Sequence, residues 1–274
     1  MKFKSIFILF SITLLLFMAI LVLLPLFMLG ASFSESFWRT NWPLMAVLAV
    51  LYIAFNIFYF TNRRLFLLLE KEDWPALVRY LEDQVIQNGR YKSRLVRLLA
   101  NSYLVLSDSA AVMSLENKVA IAKPALINSN ALVFGTARIL GKDISGAVRF
   151  FGTKKETVKS GLREWVTWYH GFSLLLNRQY EESSQEFSLL AGHSKDGVIT
   201  GLSSYFLYRM IAPALPEKEY QLREIAANGK ERVRKTLPRP KDWNHDVSRL
   251  SMEIHAAAIS KYMEETSLWL YEGR

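Results

Sequence analysis

Hydrophobic residues fill most of the first sixty positions, and a helical rhythm then holds to the end of the chain. Ile6 to Leu29 is nearly continuous Ile, Leu, Phe, Met and Val, broken only by Ser11, Thr13 and Pro25. At 1.5 Å per residue that run reaches roughly 36 Å, enough to cross a bilayer core with some tilt. About twenty such residues at roughly −0.5 kcal/mol each favour insertion by about 10 kcal/mol. A second run, Pro43 to Phe60, reaches roughly 27 Å and carries Asn56 near its end. Trp38, Trp42 and Tyr59 are placed as interface anchors, whereas Tyr52 lies too deep. About a dozen residues connect the two runs, so the pattern predicts a hairpin of two spans.

Lys2 and Lys4 precede the first span, Arg63 and Arg64 follow the second, and the connection carries only Arg39. This asymmetry puts both termini and the following domain on the cytoplasmic side of an inner (cytoplasmic) membrane. Leu29-Gly30-Ala31-Ser32 offers small residues for signal cleavage, but the apolar run exceeds the usual 7–15 residues, which favours a retained anchor. Cleavage after Ala31 would leave the second span in the same orientation.

Beyond Phe60 the apolar spacing is helical, with little strand alternation. Breakers recur at Asp73-Trp74-Pro75, Asn88-Gly89, Ser107-Asp108-Ser109, Pro124, Gly141-Lys142-Asp143, Asn177-Arg178, Gly192, Pro213 to Pro216 and Pro238-Arg239-Pro240. The pieces between them suit antiparallel helix pairs. Asp73, Asp108 or Ser109, and Asp143 are candidate N-caps. The spacing also predicts a pair over Val198–Ile211 and Glu217–Lys235, and one long final helix over Trp243–Tyr271.

A cadence repeats within this body. Gly171, Tyr180, Ser183 and Phe187 stand at offsets of 9, 12 and 16 from the first, and Gly135, Ile144, Ala147 and Phe151 repeat the pattern. Ala100, Ser109, Val112 and Glu116 form a weaker copy that fails at its last position. Leu65, Trp74, Leu77 and Leu81 form another, whose first position is large. The small residue lets two helices approach, the next falls at their turn, and the last two share a face of the second helix. Units of this kind bury their apolar faces only against each other, so they stack.

This cadence resembles the tetratricopeptide repeat (TPR), whose unit places Gly or Ala, Tyr, Ala and Phe at these offsets; Asn177 to Glu182 is similar to its inter-helix turn. The resemblance covers roughly residues 62–195. It implies an all-α fold in which two N-terminal transmembrane helices precede a TPR-like α-solenoid. The domains expected are a hairpin over 1–61, a repeat domain over 62–236 and a capping helix over 237–274. It further implies peptide or helix segments bound in the solenoid groove. Carried over by position, the groove residues are Arg97 and Asn101 for a polar partner group, and Trp165, Trp168 and Phe172 for an apolar one. The same three aromatics equally suit a packed core.

Overall charge adds less. The chain has 34 Lys+Arg against 25 Asp+Glu, and no cysteine. That excludes disulfides, thiolate metal sites and cysteine nucleophiles. Lys230 to Lys241 holds six cations, among them Lys230, Arg232, Arg234 and Lys235. They read either as a helix end complementing its own dipole or as a surface for anionic lipid headgroups. Aromatic interleaving is absent, which argues against nucleic acid. Gly135 to Lys142 has one residue too many for a phosphate loop, and Asp143 stands where a hydroxyl is needed. His170, His193, His245 and His255 form no metal spacing, and no catalytic or cofactor motif emerges. The sequence therefore points to a non-catalytic scaffold that positions protein partners at the membrane. An accessory subunit or enzyme of a membrane-associated pathway is the alternative.

Overall fold

The computed structural model describes residues 3–250 and 254–272, and every regular element among them is helical. Two compact units divide after Tyr80. In the first, α1 (Phe3–Leu29) and α2 (Ala31–Glu70) are separated by Gly30 alone, at φ +85°. The expected dozen-residue connection is thus itself helical. Asn41 leaves helical geometry just ahead of Pro43, and its side-chain amide donates to the Phe37 carbonyl at 2.9 Å. Proline supplies no N–H to the preceding turn, so the bend falls there. The helix of the second apolar run continues without a break through Leu65.

The two helices run antiparallel. Phe7 stacks on Tyr59 and Phe55, Ser11 Oγ and Tyr52 OH lie 3.1 Å apart, and Trp38 Nε1 donates to the Val22 carbonyl at 3.1 Å. Leu9, Ile12, Phe27, Val50 and Ile57 stay exposed, and no residue of α2 is buried. Both helices are long and apolar enough to span a membrane.

From α2 onward one turn is built four times. Glu72, Ser107, Lys142 and Arg178 all have φ between 53° and 62°, at intervals of 35, 35 and 36 residues. Each occupies the left-handed position that ends a helix, and the next residue's N–H reaches five residues back: Asp73 to Leu68, Asp108 to Tyr103, Asp143 to Arg138, Gln179 to Leu174. This Schellman arrangement satisfies carbonyls that a helix end leaves open. In three copies the same residue caps the next helix, Asp73 accepting from Ala76 N, Asp108 from Ala111 N and Asp143 from Gly146 N. The helices that follow begin at Trp74, Ser109, Ile144 and Tyr180, the offset-9 residues of the cadence.

These helices are α3 (Trp74–Glu82), α5 (Ser109–Ala122), α8 (Ile144–Thr157) and α10 (Tyr180–His193), and α4 (Ser93–Val105), α7 (Ala131–Leu140) and α9 (Ser160–Leu176) alternate with them; a short α6 (Ala125–Ser129) precedes α7. Gly135 faces the Phe151 ring, and Gly171 faces Phe187, whose neighbour Ser183 donates to the Gly171 carbonyl at 2.8 Å. Both phenylalanines are fully buried. Glu116, in the copy that lacks an aromatic, instead pairs with Arg138 of α7 at 2.6 Å.

Next come α11 (Gly197–Phe206), a π-helical turn (Leu207–Ile211) and α12 (Glu219–Thr236), close to the expected pair. The expected single final helix is interrupted. It consists of α13 (Pro240–Leu250), α14 (Ile254–Ala257) and α15 (Ser260–Tyr271), and residues 251–253 lie outside the described set. The break after α14 has a visible cause. Tyr169 OH donates to the His255 carbonyl at 2.7 Å, and Ile259 N, which would take that carbonyl in a continuous helix, turns to Ala256 O at 3.1 Å. The described residues after 236 fall in the same compact unit as α4 to α12.

Candidate functional site

The residues proposed from the sequence for partner contact fall into two environments. Arg97 projects from α4 into solvent beside the likewise exposed Arg94, and Asn101, one turn on, is partly exposed. Arg97 makes no ion pair among the described residues. An exposed guanidinium and an amide four residues apart share one helix face and present donors to a carboxylate or backbone segment.

Trp165, Trp168 and Phe172 do not line an open surface. They are 7%, 0% and 6% exposed. Trp168 packs against Phe187 of α10 and Phe206 of α11, with ring centroids 5.8 and 5.5 Å away. The C-terminal segment covers the rest: His255 lies 5.6 Å from Trp165, and Tyr262 lies 5.8 Å from Phe172 and 5.0 Å from Phe206. The core reading of these aromatics replaces the groove reading, because a later stretch of the same chain occupies that face.

The basic stretch is corrected in a similar way. Lys230 Nζ donates to the Trp269 carbonyl at 2.6 Å, and Arg234 Nε to the Leu270 carbonyl at 2.7 Å. Arg232 donates to the carbonyls of Ala191 and Ser194 at 2.5 and 2.8 Å. These acceptors sit at the C-terminal ends of α15 and α10, where backbone carbonyls lack helical partners and the dipole is negative. The cations of α12 therefore tie together the ends of other helices. Lys235 makes no such bond to a carbonyl among the described residues; it points outward, 73% exposed, with Glu231 at 3.5 Å. Arg209, which no sequence pattern singles out, comes to the same cleft as Lys230.

One further charged cluster joins α8, α9 and α10. Glu186 accepts from Lys155 Nζ at 2.6 Å and lies 3.0 Å from His170 Nδ1. Burial pushes its carboxyl up, but the hydrogen bonds to His170 and Lys155 outweigh burial and hold it below the usual range. Asp196, which caps α11 through Val198 N and Ile199 N, is raised by burial despite those two bonds, and Glu164 and Asp246 add repulsion. Gly135 to Lys142 forms the end of α7 and its turn. No group of three or more metal-ligating side chains converges among the described residues.

Comparison with known proteins adds one assignment. The family described as "Uncharacterised Treponema protein" matches residues 111–272, from α5 through α15. The chain belongs to this Treponema family. A relative from Treponema pallidum (strain Nichols), described as "Uncharacterized protein", is 27% identical over 231 residues, covering 82% of this chain and 74% of the relative. No solved structure matches. The Treponema family region takes in both the buried aromatic face of α9 and the segment that covers it.

Proposed function

We propose that the chain is a membrane-anchored, TPR-like scaffold that binds and positions protein partners at the cytoplasmic face. The observation that carries this reading is the turn built four times at 35- and 36-residue intervals, with the same aspartate cap in three copies and the small–aromatic contact in two. Such regularity belongs to units that stack on one another, and stacked helix pairs present long surfaces for other polypeptides. Support for the anchor comes from the hairpin, whose outward apolar side chains such as Leu9, Ile12, Val50 and Ile57 stay exposed, and the flanking Lys2, Lys4, Arg63 and Arg64 favour the cytoplasmic orientation.

Partner contact is assigned to the open face of α4, through Arg97 and Asn101. Crosslinking of intact cells with mass spectrometry, followed by detergent pull-down, tests the proposal. Wild type should retain a stoichiometric protein partner, and Arg97→Glu with Asn101→Ala should lose it while the helical content stays the same. A chain recovered alone, or one eluting with an absorbing cofactor, would refute it. Since the chain has no cysteine, single substitutions Lys4→Cys and Arg39→Cys report topology through labelling from either side of the membrane.

A further inference from the structure

The π-helical turn at Leu207–Ile211 stands at the edge of a cleft of about 310 Å³, lined by Tyr208, Arg209, Ala227, Lys230 and Trp269. A water occupies about 30 Å³ in the liquid, so the space suits a polyatomic ligand. Its walls are aromatic: the Tyr208 and Trp269 rings lie 5.6 Å apart. Cations sit over both rings, Lys230 Nζ at 4.5 Å from Trp269, and Arg209 and Arg223 at 5.9 and 4.6 Å from Tyr208.

The charge there is unbalanced. Arg223 is paired with Glu219 at 2.7 Å. Lys230 meets only a neutral carbonyl, and Arg209 has neither ion pair nor hydrogen bond among the described residues. No carboxylate of the described residues lines the cleft. Glu265, one turn before Trp269 on α15, does not line the cleft and is engaged by Tyr205 OH at 2.8 Å and Lys261 at 3.7 Å. Burial, followed by the charges of Arg234 and Arg209, pulls Lys230 below the ordinary lysine range, as expected for a cation that lacks a counter-charge.

We propose that this cleft binds a phosphate-type oxyanion, with Arg209 and Lys230 as its ligands and Tyr208 and Trp269 flanking the group attached to it. Arginine supplies a planar fork of donors and lysine a point charge, the two usual partners of a phosphate. Free phosphate esters and phospholipid headgroups share this chemistry.

The test uses the full chain in neutral detergent. In one arm, 31P line broadening of inorganic phosphate and glycerol phosphate is followed. In the other, native mass spectrometry counts phosphatidylglycerol retained by the protein. Wild type should bind in at least one arm, and Arg209→Ala should weaken binding at least tenfold. Arg209 is exposed, so its removal leaves the fold intact; Lys230→Arg keeps both the charge and a donor, and should retain binding. Lys235→Ala, an exposed cation outside the cleft, should bind like wild type. Binding in the first arm identifies a soluble ester, and binding confined to the second identifies a headgroup. Absence of binding in both arms, or equal loss with Lys235→Ala and Arg209→Ala, would overturn the proposal.

Discussion

The contact between Gly135 and Phe151 gives the sharpest test of the repeated unit. A Cβ built on Gly135 would sit 2.1 Å from Phe151 Cζ and within 2.6 Å of both Cε atoms. Carbon atoms pack at about 3.5–4.0 Å, so the ring would have to retreat by about 1.5 Å. It has nowhere to go. Phe151 is fully buried, stacked on Tyr169 with centroids 5.5 Å apart and edge-on to Phe150 at 5.7 Å. Overpacking of this kind costs about 1–3 kcal/mol. A clash this deep with a ring held on both sides takes the upper part of that range, about 2–3 kcal/mol. Alanine gains about 1 kcal/mol over glycine inside a helix, so Gly135→Ala should lose roughly 1–2 kcal/mol net. Gly171→Ala is the matched control. Its Cβ would meet Phe187 at 3.3 Å and Glu186 Cβ at 3.2 Å, a misfit of a few tenths of an ångström that the helix gain offsets. Thermal unfolding of the detergent-solubilised chain, read by tryptophan fluorescence, separates the two. A loss of 1–2 kcal/mol lowers Tm by roughly 2–8 °C in a unit of this size, whereas Gly171→Ala should stay within about 2 °C of wild type. Adding Phe151→Leu to Gly135→Ala should recover part of the loss, a coupling of opposite sign to that of two independent core lesions. If Gly135→Ala melts at or above wild type, close helix approach is not what that glycine provides.

Two further outcomes follow from the turns and the charged cluster. Arg178 and Lys142 hold left-handed backbone without being glycine and are exposed. Arg178→Gly and Lys142→Gly should each stabilise by about 0.5 kcal/mol, part of the Cβ penalty being returned as unfolded-state freedom. The pair should be additive, and a lowered Tm for either would contradict the turn geometry. Because its folded pKa is depressed, Glu186 contributes stability above the unfolded carboxylate value of about 4.3 and loses it as pH falls through the folded value. Glu186→Gln should therefore cost about 1–2 kcal/mol at pH 7, with the gap to wild type closing in acid; a gap independent of pH would refute the assignment.

What was legible in the sequence was what neighbours in the chain decide. Asp73, Asp108 and Asp143 read as caps because the cap bond closes within three residues, and each makes that bond. Gly135 and Gly171 read as approach points because their partners recur at a fixed offset of 16. The misreadings come from long-range contacts. Trp165, Trp168 and Phe172 have the same pattern whether their face is open or covered, and the covering residue His255 lies 86 positions beyond Tyr169. The basic stretch suggested a surface because its acceptors, the carbonyls of Ala191, Ser194, Trp269 and Leu270, lie 36 to 41 residues away. The dozen residues expected to join the two spans are themselves helical, because α2 begins at Ala31. Gly30 alone reverses the chain, and Asn41 absorbs the kink ahead of Pro43.

These long-range contacts also divide the molecule's face. Where Arg97 and Asn101 stand on α4, the corresponding positions on α9 are Trp168 and Phe172, one pair open and the other sealed by α14 and α15. Sealing an aromatic face with a segment of the same chain removes an apolar surface that would otherwise drive association, whereas the polar face of α4 stays open. The Treponema family match begins at residue 111, after α4 has ended. Membership in the family thus covers the sealed region and its cover, and implies nothing about Arg97 and Asn101. A partner that depends on those two residues is tested by the paired substitution on α4, and not by disruption of the aromatic core.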